Sequence, residues 1–156
     1  MLLVDEGRLS LEDAIADWLP ELASPRVVRR PESALDDLVP ARRCITVEDL
    51  LTFRAGWGFP SDFSLPAVVE LFNKLPVFGV RETRDEWLAT LARVPMLRQA
   101  GEAWLNNTCS DIQGVLVARV AGQPLPAFLA ERLFEPLRMN DTGFHGAGGE
   151  ARASVP

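Results

Sequence analysis

The chain has 156 residues, with Lys+Arg 16 against Asp+Glu 22 and a formal net charge of -6. That length allows one compact domain with a modest core and little room for a second. Hydrophobic residues at 47% and charged residues at 24% exclude wholesale disorder and a fibrous repeat, and a pI near 4.8 argues against nucleic acid as a partner, because phosphate neutralisation needs surplus Lys and Arg.

Met1 to Val4 forms an apolar tetrad that runs into Asp5, Glu6 and Gly7. Gly7 is the expected C′ residue of a helix too short to stand alone. Either this terminus frays, or further residues normally precede Met1. Asp5 and Glu6 follow too soon, and without a basic flank, for a secretory leader. No window holds the roughly 18 consecutive apolar residues of a membrane span. Localisation stays open, with the cytoplasm as the default.

Ser10 is the expected cap of a helix carrying Leu11, Ile15 and Trp18 and ended by Pro20. Residues 24–40 contain Pro25, Pro31 and Pro40 with Arg26, Arg29 and Arg30, which predicts an irregular loop or short hairpin whose arginines are balanced by Glu32, Asp36 and Asp37. Thr46 and Asp49 predict an approximate capping box, with Ile45 and Leu50 as its hydrophobic staple. Gly56 and Gly58 flank Trp57 in a turn. Pro66 opens a helix with the stripe Val68, Leu71, Phe72 and Leu75.

Thr83 and Glu86 form a full capping box ahead of Trp87, Leu88 and Leu91. The clearest helix spans 111–121: Ser110 and Gln113 start it, Ile112, Val115, Leu116 and Val120 form its buried face, and Gly122 stops it. A last helix over 125–134 carries Leu125, Phe128, Leu129 and Leu133. Strand signals are weak, so the expected class is mainly α. Residues 145–156 are rich in glycine and alanine and read as a flexible tail or a broken-off connection.

Few residues offer chemistry on their own. The single histidine, His145, has no acid at ligand spacing, so neither a Ser-His-Asp triad nor a zinc site follows from it. Gly146, Gly148 and Gly149 fail the dinucleotide-binding spacing. Cys44 and Cys109 fit neither a disulfide framework nor a metal cluster; a fold that brings them together would let them pair, but the expectation is two free, mostly buried thiols.

Three segments together resemble the serine beta-lactamase-related hydrolases, the group of class C beta-lactamases, penicillin-binding DD-peptidases and esterases built like them. LLVDEGRLSLED is similar to the end of that family's nucleophile helix and the turn after it. ITVEDLLTFRAGWG resembles its next signature, with Phe53, Arg54, Ala55 and Gly56 in place of His-Thr-Ser-Gly. GEAWLNNTCSDIQGVLVARVAGQPLPAFLAERLFEPLRMNDTGF resembles its longest signature, a Tyr-containing motif followed by a helix and ending in Asp-Thr-Gly-Phe. The resemblance covers residues 1–144 as a partial domain of a beta-lactamase/transpeptidase-like α/β fold whose central sheet is largely missing.

The resemblance implies acyl-ester or amide hydrolysis through a serine acyl-enzyme, on a small-molecule ester or beta-lactam-like substrate, with no metal or organic cofactor. In that family a Ser-x-x-Lys pair supplies nucleophile and activator, a tyrosine moves the proton, and a late strand lines the oxyanion site. This sequence has no Ser-x-x-Lys; its one lysine is Lys74, and residue 71 is Leu71. Tyrosine is absent altogether. Asn106 stands where the tyrosine is expected, Asn107 takes the motif's asparagine and is a candidate substrate contact, and Cys109 occupies a place often held by glycine. No catalytic residue is assigned. Asparagines before a helix are also ordinary caps, Trp57 and Trp104 are expected in the core or on a cleft wall, and Cys109 near a helix start is a weak candidate for a reactive thiol. Two other readings stand beside the inactive hydrolase fragment: an interaction protein that self-associates through exposed apolar surface, and one piece of a split hydrolase.

Overall fold

The computed structural model describes residues 1–75 and 83–144. Pro76 to Glu82 and the glycine-rich stretch with His145 lie outside them. The described residues form six α-helices and one two-stranded sheet: α1 (Leu2–Asp5), β1 (Arg26–Val28), β2 (Leu38–Pro40), α2 (Val47–Leu51), α3 (Pro66–Lys74), α4 (Arg84–Leu91), α5 (Thr108–Ala121) and α6 (Leu125–Leu129), which runs on into a π-helical turn, Ala130–Phe134.

Helix α5 is the axis. Cys109, Ile112, Val115 and Leu116 are buried along it, and α1, α2 and α6 pack against it. Its polar side chains fasten distant segments. Gln113 Nε2 donates to the Leu50 carbonyl at 2.7 Å, and Arg119 donates to the Trp18 carbonyl at 2.9 Å while pairing with Glu21 and Asp85 at 2.8 Å. Arg119 thereby ties α5 to both the Pro20–Leu22 turn and α4. Helix α1 closes as the glycine predicts: Gly7 has φ 68°, its N–H donates to the Val4 carbonyl, and Arg8 N–H donates to the Leu3 carbonyl. That is the paired hydrogen-bond pattern of a Schellman cap.

Local signals were followed closely where a side chain caps its own helix. Thr46 accepts from Asp49 N–H while Asp49 Oδ2 accepts from Thr46 N–H at 2.9 Å, and Thr83 and Glu86 repeat the arrangement at α4. Ile45 and Leu50 are both buried. The 24–40 stretch is a hairpin, β1 antiparallel to β2 with Val27 opposite Val39, and Arg29 pairs with Asp37 at 2.8 Å. Met96 adds a short parallel pairing to Val27 on the other side of β1.

Four expectations are corrected. The segment after Ser10 is not an α-helix but a turn followed by two 3₁₀ turns, Ile15–Asp17 and Pro20–Leu22. The cause is tertiary: Leu11 and Asp13 carbonyls accept from Glu48 and Val47 N–H, and Ile15 N–H donates to Ile45, so these backbone groups satisfy the open first turn of α2 rather than a helix of their own. Helix α5 starts one turn earlier than Asp111, and Gln113 binds Leu50 instead of capping. Phe72 leaves the α3 stripe and is 51% exposed, its place in the buried face taken by Ala67. Cys44 is exposed; only Cys109 is a buried thiol.

Candidate functional site

The second and third signature segments meet. Leu105 N–H donates to the Phe53 carbonyl at 2.9 Å, Gly101 N–H to Arg54 at 2.8 Å, and Phe59 and Asn106 donate to each other's carbonyls at 3.0 and 3.1 Å. The close approach demands glycine. Gly56 and Gly58 have φ 106° and 142°, and a Cβ on Gly58 would lie 2.6 Å from the Asn106 carbonyl oxygen. Between them Trp57 is buried and donates its indole N–H to the Val94 carbonyl at 2.8 Å, which makes it a core residue.

Backbone strain concentrates at the same junction. Asn107 has φ 77° and ψ -74°, and Thr108 N–H donates to the Asn106 carbonyl at 3.2 Å. This is the rare γ-turn with positive φ, a conformation costing on the order of 1–3 kcal/mol. Asn107 occupies the N-cap position of α5, yet its side chain accepts no helix N–H. A capping residue needs an extended backbone, and the γ-turn denies it one, so the capping expectation fails for Asn107. Asn106 is exposed, as is Trp104 at 60%, while Leu105 between them is buried, so both alternate outward. Trp104 is therefore not a core residue; it stacks on Phe53 at 6.1 Å between ring centroids.

Beside this junction lies a groove of about 580 Å³, within the usual range for small-molecule sites. Phe59, Leu71, Leu75, Trp87, Val115 and Leu125 form its apolar walls. Asn107, Ser110, Asp111 and Gly114 line it from successive turns of α5, with Arg84 also lining it. Solvent reaches Asp111, but the groove walls thin its hydration and push its carboxyl above the ordinary aspartate range. Cys109 faces inward. Burial pushes its thiol up, against a hydrogen bond from Ala55 N–H, and the Asp49 charge adds to the rise, which removes it as a reactive thiolate. Among the described residues no group of three His, Cys, Asp or Glu side chains is placed to hold a metal ion, and no helix is long and apolar enough to cross a membrane.

Asn107 thus lines the groove, and Asn106 stands next to it without doing so. Ser110 and Asp111, which the sequence pattern used only as helix-start residues, are groove residues. The available signal was their spacing: Asn107, Ser110, Asp111 and Gly114 fall at i, i+3, i+4 and i+7, a polar and small face opposite the buried stripe.

A beta-lactamase family profile matches residues 1–155. An uncharacterised protein of Mycobacterium tuberculosis is 39% identical over 99% of the chain and 38% of its own length. Esterase EstB of Burkholderia gladioli is 32% identical over 99% of the chain and 36% of its own length, and the lovastatin esterase of Penicillium rubens is 30% identical over 91% and 35%. Among solved structures, EstCE1, a hydrolase with promiscuous acyltransferase activity, superposes with TM-score 0.65 at 26% identity, covering 87% of this chain and 33% of that one. The chain spans somewhat over a third of the length of these curated relatives.

Proposed function

The chain belongs to the beta-lactamase family, and from that membership we propose that it forms one wall of a serine acyl-hydrolase site of the esterase-like branch and does not turn over substrate by itself. The observation that carries this is Asn106. It sits where the two signature segments clasp, the motif resemblance puts the family's tyrosine at this position, and asparagine has no phenol to relay a proton. With no tyrosine and no Ser-x-x-Lys in 156 residues, the nucleophile and its activator must come from elsewhere. The esterase-like branch is favoured by the two esterases among the relatives. The missing central sheet of the family fold belongs to this same proposal: the helices described here are the helical layer that would pack on it.

The test is a segment exchange. Residues 1–144 replace the matching stretch of the Burkholderia gladioli esterase, and hydrolysis of p-nitrophenyl butyrate is measured. Loss of a proton relay lowers the rate by about 10²–10⁴, and Asn106→Tyr in the chimera is expected to restore most of it. A chimera equally active with Asn106 and with tyrosine contradicts the proposal. Labelling by an alkyl fluorophosphonate confirms that each chimera is folded around its serine before rates are compared.

A further inference from the structure

Trp104 is exposed but not loose. Its neighbour Leu105 is buried and donates its N–H to the Phe53 carbonyl at 2.9 Å, and the indole stacks on the Phe53 ring at 6.1 Å between centroids and 24° between planes. At that separation the rings overlap only near their edges and form a stepped shelf with indole surface open to water. Phe53 has φ 59°, a left-handed conformation that a bulky residue rarely adopts and that clusters at ligand clamps. Polar groups flank the shelf. Glu102, two residues before Trp104, pairs with Arg42 at 2.7 Å, and both side chains stay open to solvent at 42% and 75%. Asn106, two residues after, presents an exposed amide on the Trp104 side of the buried Leu105. We infer that the Trp104–Phe53 shelf is a saccharide-binding platform, which takes one face of a neutral pyranose ring against the indole while Arg42, Glu102 and Asn106 bond its hydroxyls.

A pyranose with equatorial hydroxyls has a flat face of C–H groups and a rim of hydroxyls that each donate and accept. The face suits the electron-rich surface of an indole. The rim suits a mixed set of partners, because guanidinium donates, carboxylate accepts and amide does both. Size separates this ligand from a protein partner. With Trp104 60% exposed, the indole offers roughly 100–150 Å², the footprint of one sugar ring, whereas a stable protein interface needs about 800 Å² on each side. Charge separates it from nucleotides, since a net charge of -6 repels phosphate. The ring stack and the Leu105 hydrogen bond fix the indole before a ligand arrives, so little side-chain entropy is lost on binding. Binding here needs no nucleophile, so the platform operates with or without acyl hydrolysis.

The test is NMR titration of the full chain with cellobiose, beside sorbitol and adenosine. Cellobiose should shift the Trp104 indole N–H resonance, and saturation transfer from the protein should be strongest on the C–H groups of one ring face. Sorbitol carries the hydroxyls without the flat face, so it should bind at least about tenfold more weakly. Trp104→Ala, at an exposed position, should weaken cellobiose binding at least about tenfold, and Trp104→Phe should stay within about threefold of the parent. Arg42→Ala should weaken it about threefold. Melting temperatures near that of the parent show that each variant is folded; if Trp104→Ala melts early, the parent titration and the Arg42→Ala comparison decide. No shift of the Trp104 indole at about 100 mM cellobiose, sorbitol binding as tightly as cellobiose, or undiminished binding in a folded Trp104→Ala or Arg42→Ala variant overturns the inference. Adenosine binding more tightly than cellobiose overturns it as well, by making the shelf a nucleobase site. Failure here leaves the segment exchange untouched, and failure of the exchange leaves the platform standing.

Discussion

Phe59 and Asn106 exchange two backbone hydrogen bonds, 3.0 and 3.1 Å long, across a gap that the bare Cα of Gly58 keeps open. That pair joins the loop after α2 to the segment entering α5. It is also the place where a functional side chain would have to be held steadily. The strained Asn107 follows directly, and the exposed Trp104–Phe53 stack flanks it.

Gly58→Ala should therefore destabilise the fold by about 2–4 kcal/mol, because the new methyl meets backbone at Asn106 and φ 142° is closed to alanine. Gly7→Ala is the control. It shares a positive φ but has open space around it, so it should cost only about 1 kcal/mol. Urea denaturation of the two variants separates backbone collision from backbone strain alone.

The two capping boxes should differ in weight. Thr83→Ala removes an exposed cap and should cost about 0.5–1 kcal/mol. Asp49 is buried, caps Thr46 and accepts two hydrogen bonds from Arg43, itself half exposed, so Asp49→Ala should cost about 2–3 kcal/mol. Burial raises the Asp49 carboxyl, but the Arg43 and Thr46 hydrogen bonds outweigh it and hold the group below the ordinary aspartate value. Its contribution is present above the unfolded-state pKa near 4 and is lost as pH falls through the lower folded-state value. Acid titration of the melting temperature should show the gap between parent and Asp49→Ala closing below about pH 4.

Asp111 should behave in the opposite sense. Its folded-state pKa is raised by desolvation, so its favourable contribution exists while it is protonated and is lost as pH rises through that value. Asp111→Asn should raise the melting temperature slightly at pH 7, and the gain should vanish once pH drops below the unfolded-state pKa. A variant less stable than the parent at pH 7 would assign Asp111 a structural bond instead.

Exposed aromatic surface should cause self-association. Phe63 and Phe72 are 59% and 51% exposed and both pack on Phe59, so they form one apolar patch. Sedimentation velocity should show weight-average mass rising with concentration, and Phe63→Ser with Phe72→Ser should suppress the rise. A concentration-independent monomer in the parent would remove this partner reading.

Much of the helical layout was legible because its determinants are local. Gly7, the Thr46–Asp49 and Thr83–Glu86 pairs, Pro66 and Gly122 act within one turn of their own helix, and each marks an observed boundary. What failed depended on distant partners. The 11–17 segment has helical spacing, but α2 recruits its carbonyls. Asn107 resembles a cap, but its link to Asn106 and the Phe59 pairing impose the γ-turn. The groove is assembled from α3, α4, α5 and α6, and its polar face shows in sequence only as spacing on one helix. Family motifs led to Asn106 and Asn107 but not to Ser110 and Asp111.

Under the proposed function this chain carries the wall of an acyl-hydrolase site without its nucleophile. Hydrolysis of p-nitrophenyl butyrate by the purified chain, followed by intact-mass analysis after exposure to an alkyl fluorophosphonate, tests it most directly. The expected result is a rate indistinguishable from buffer and an unmodified mass. Steady turnover together with a single phosphonate adduct on one serine would contradict it.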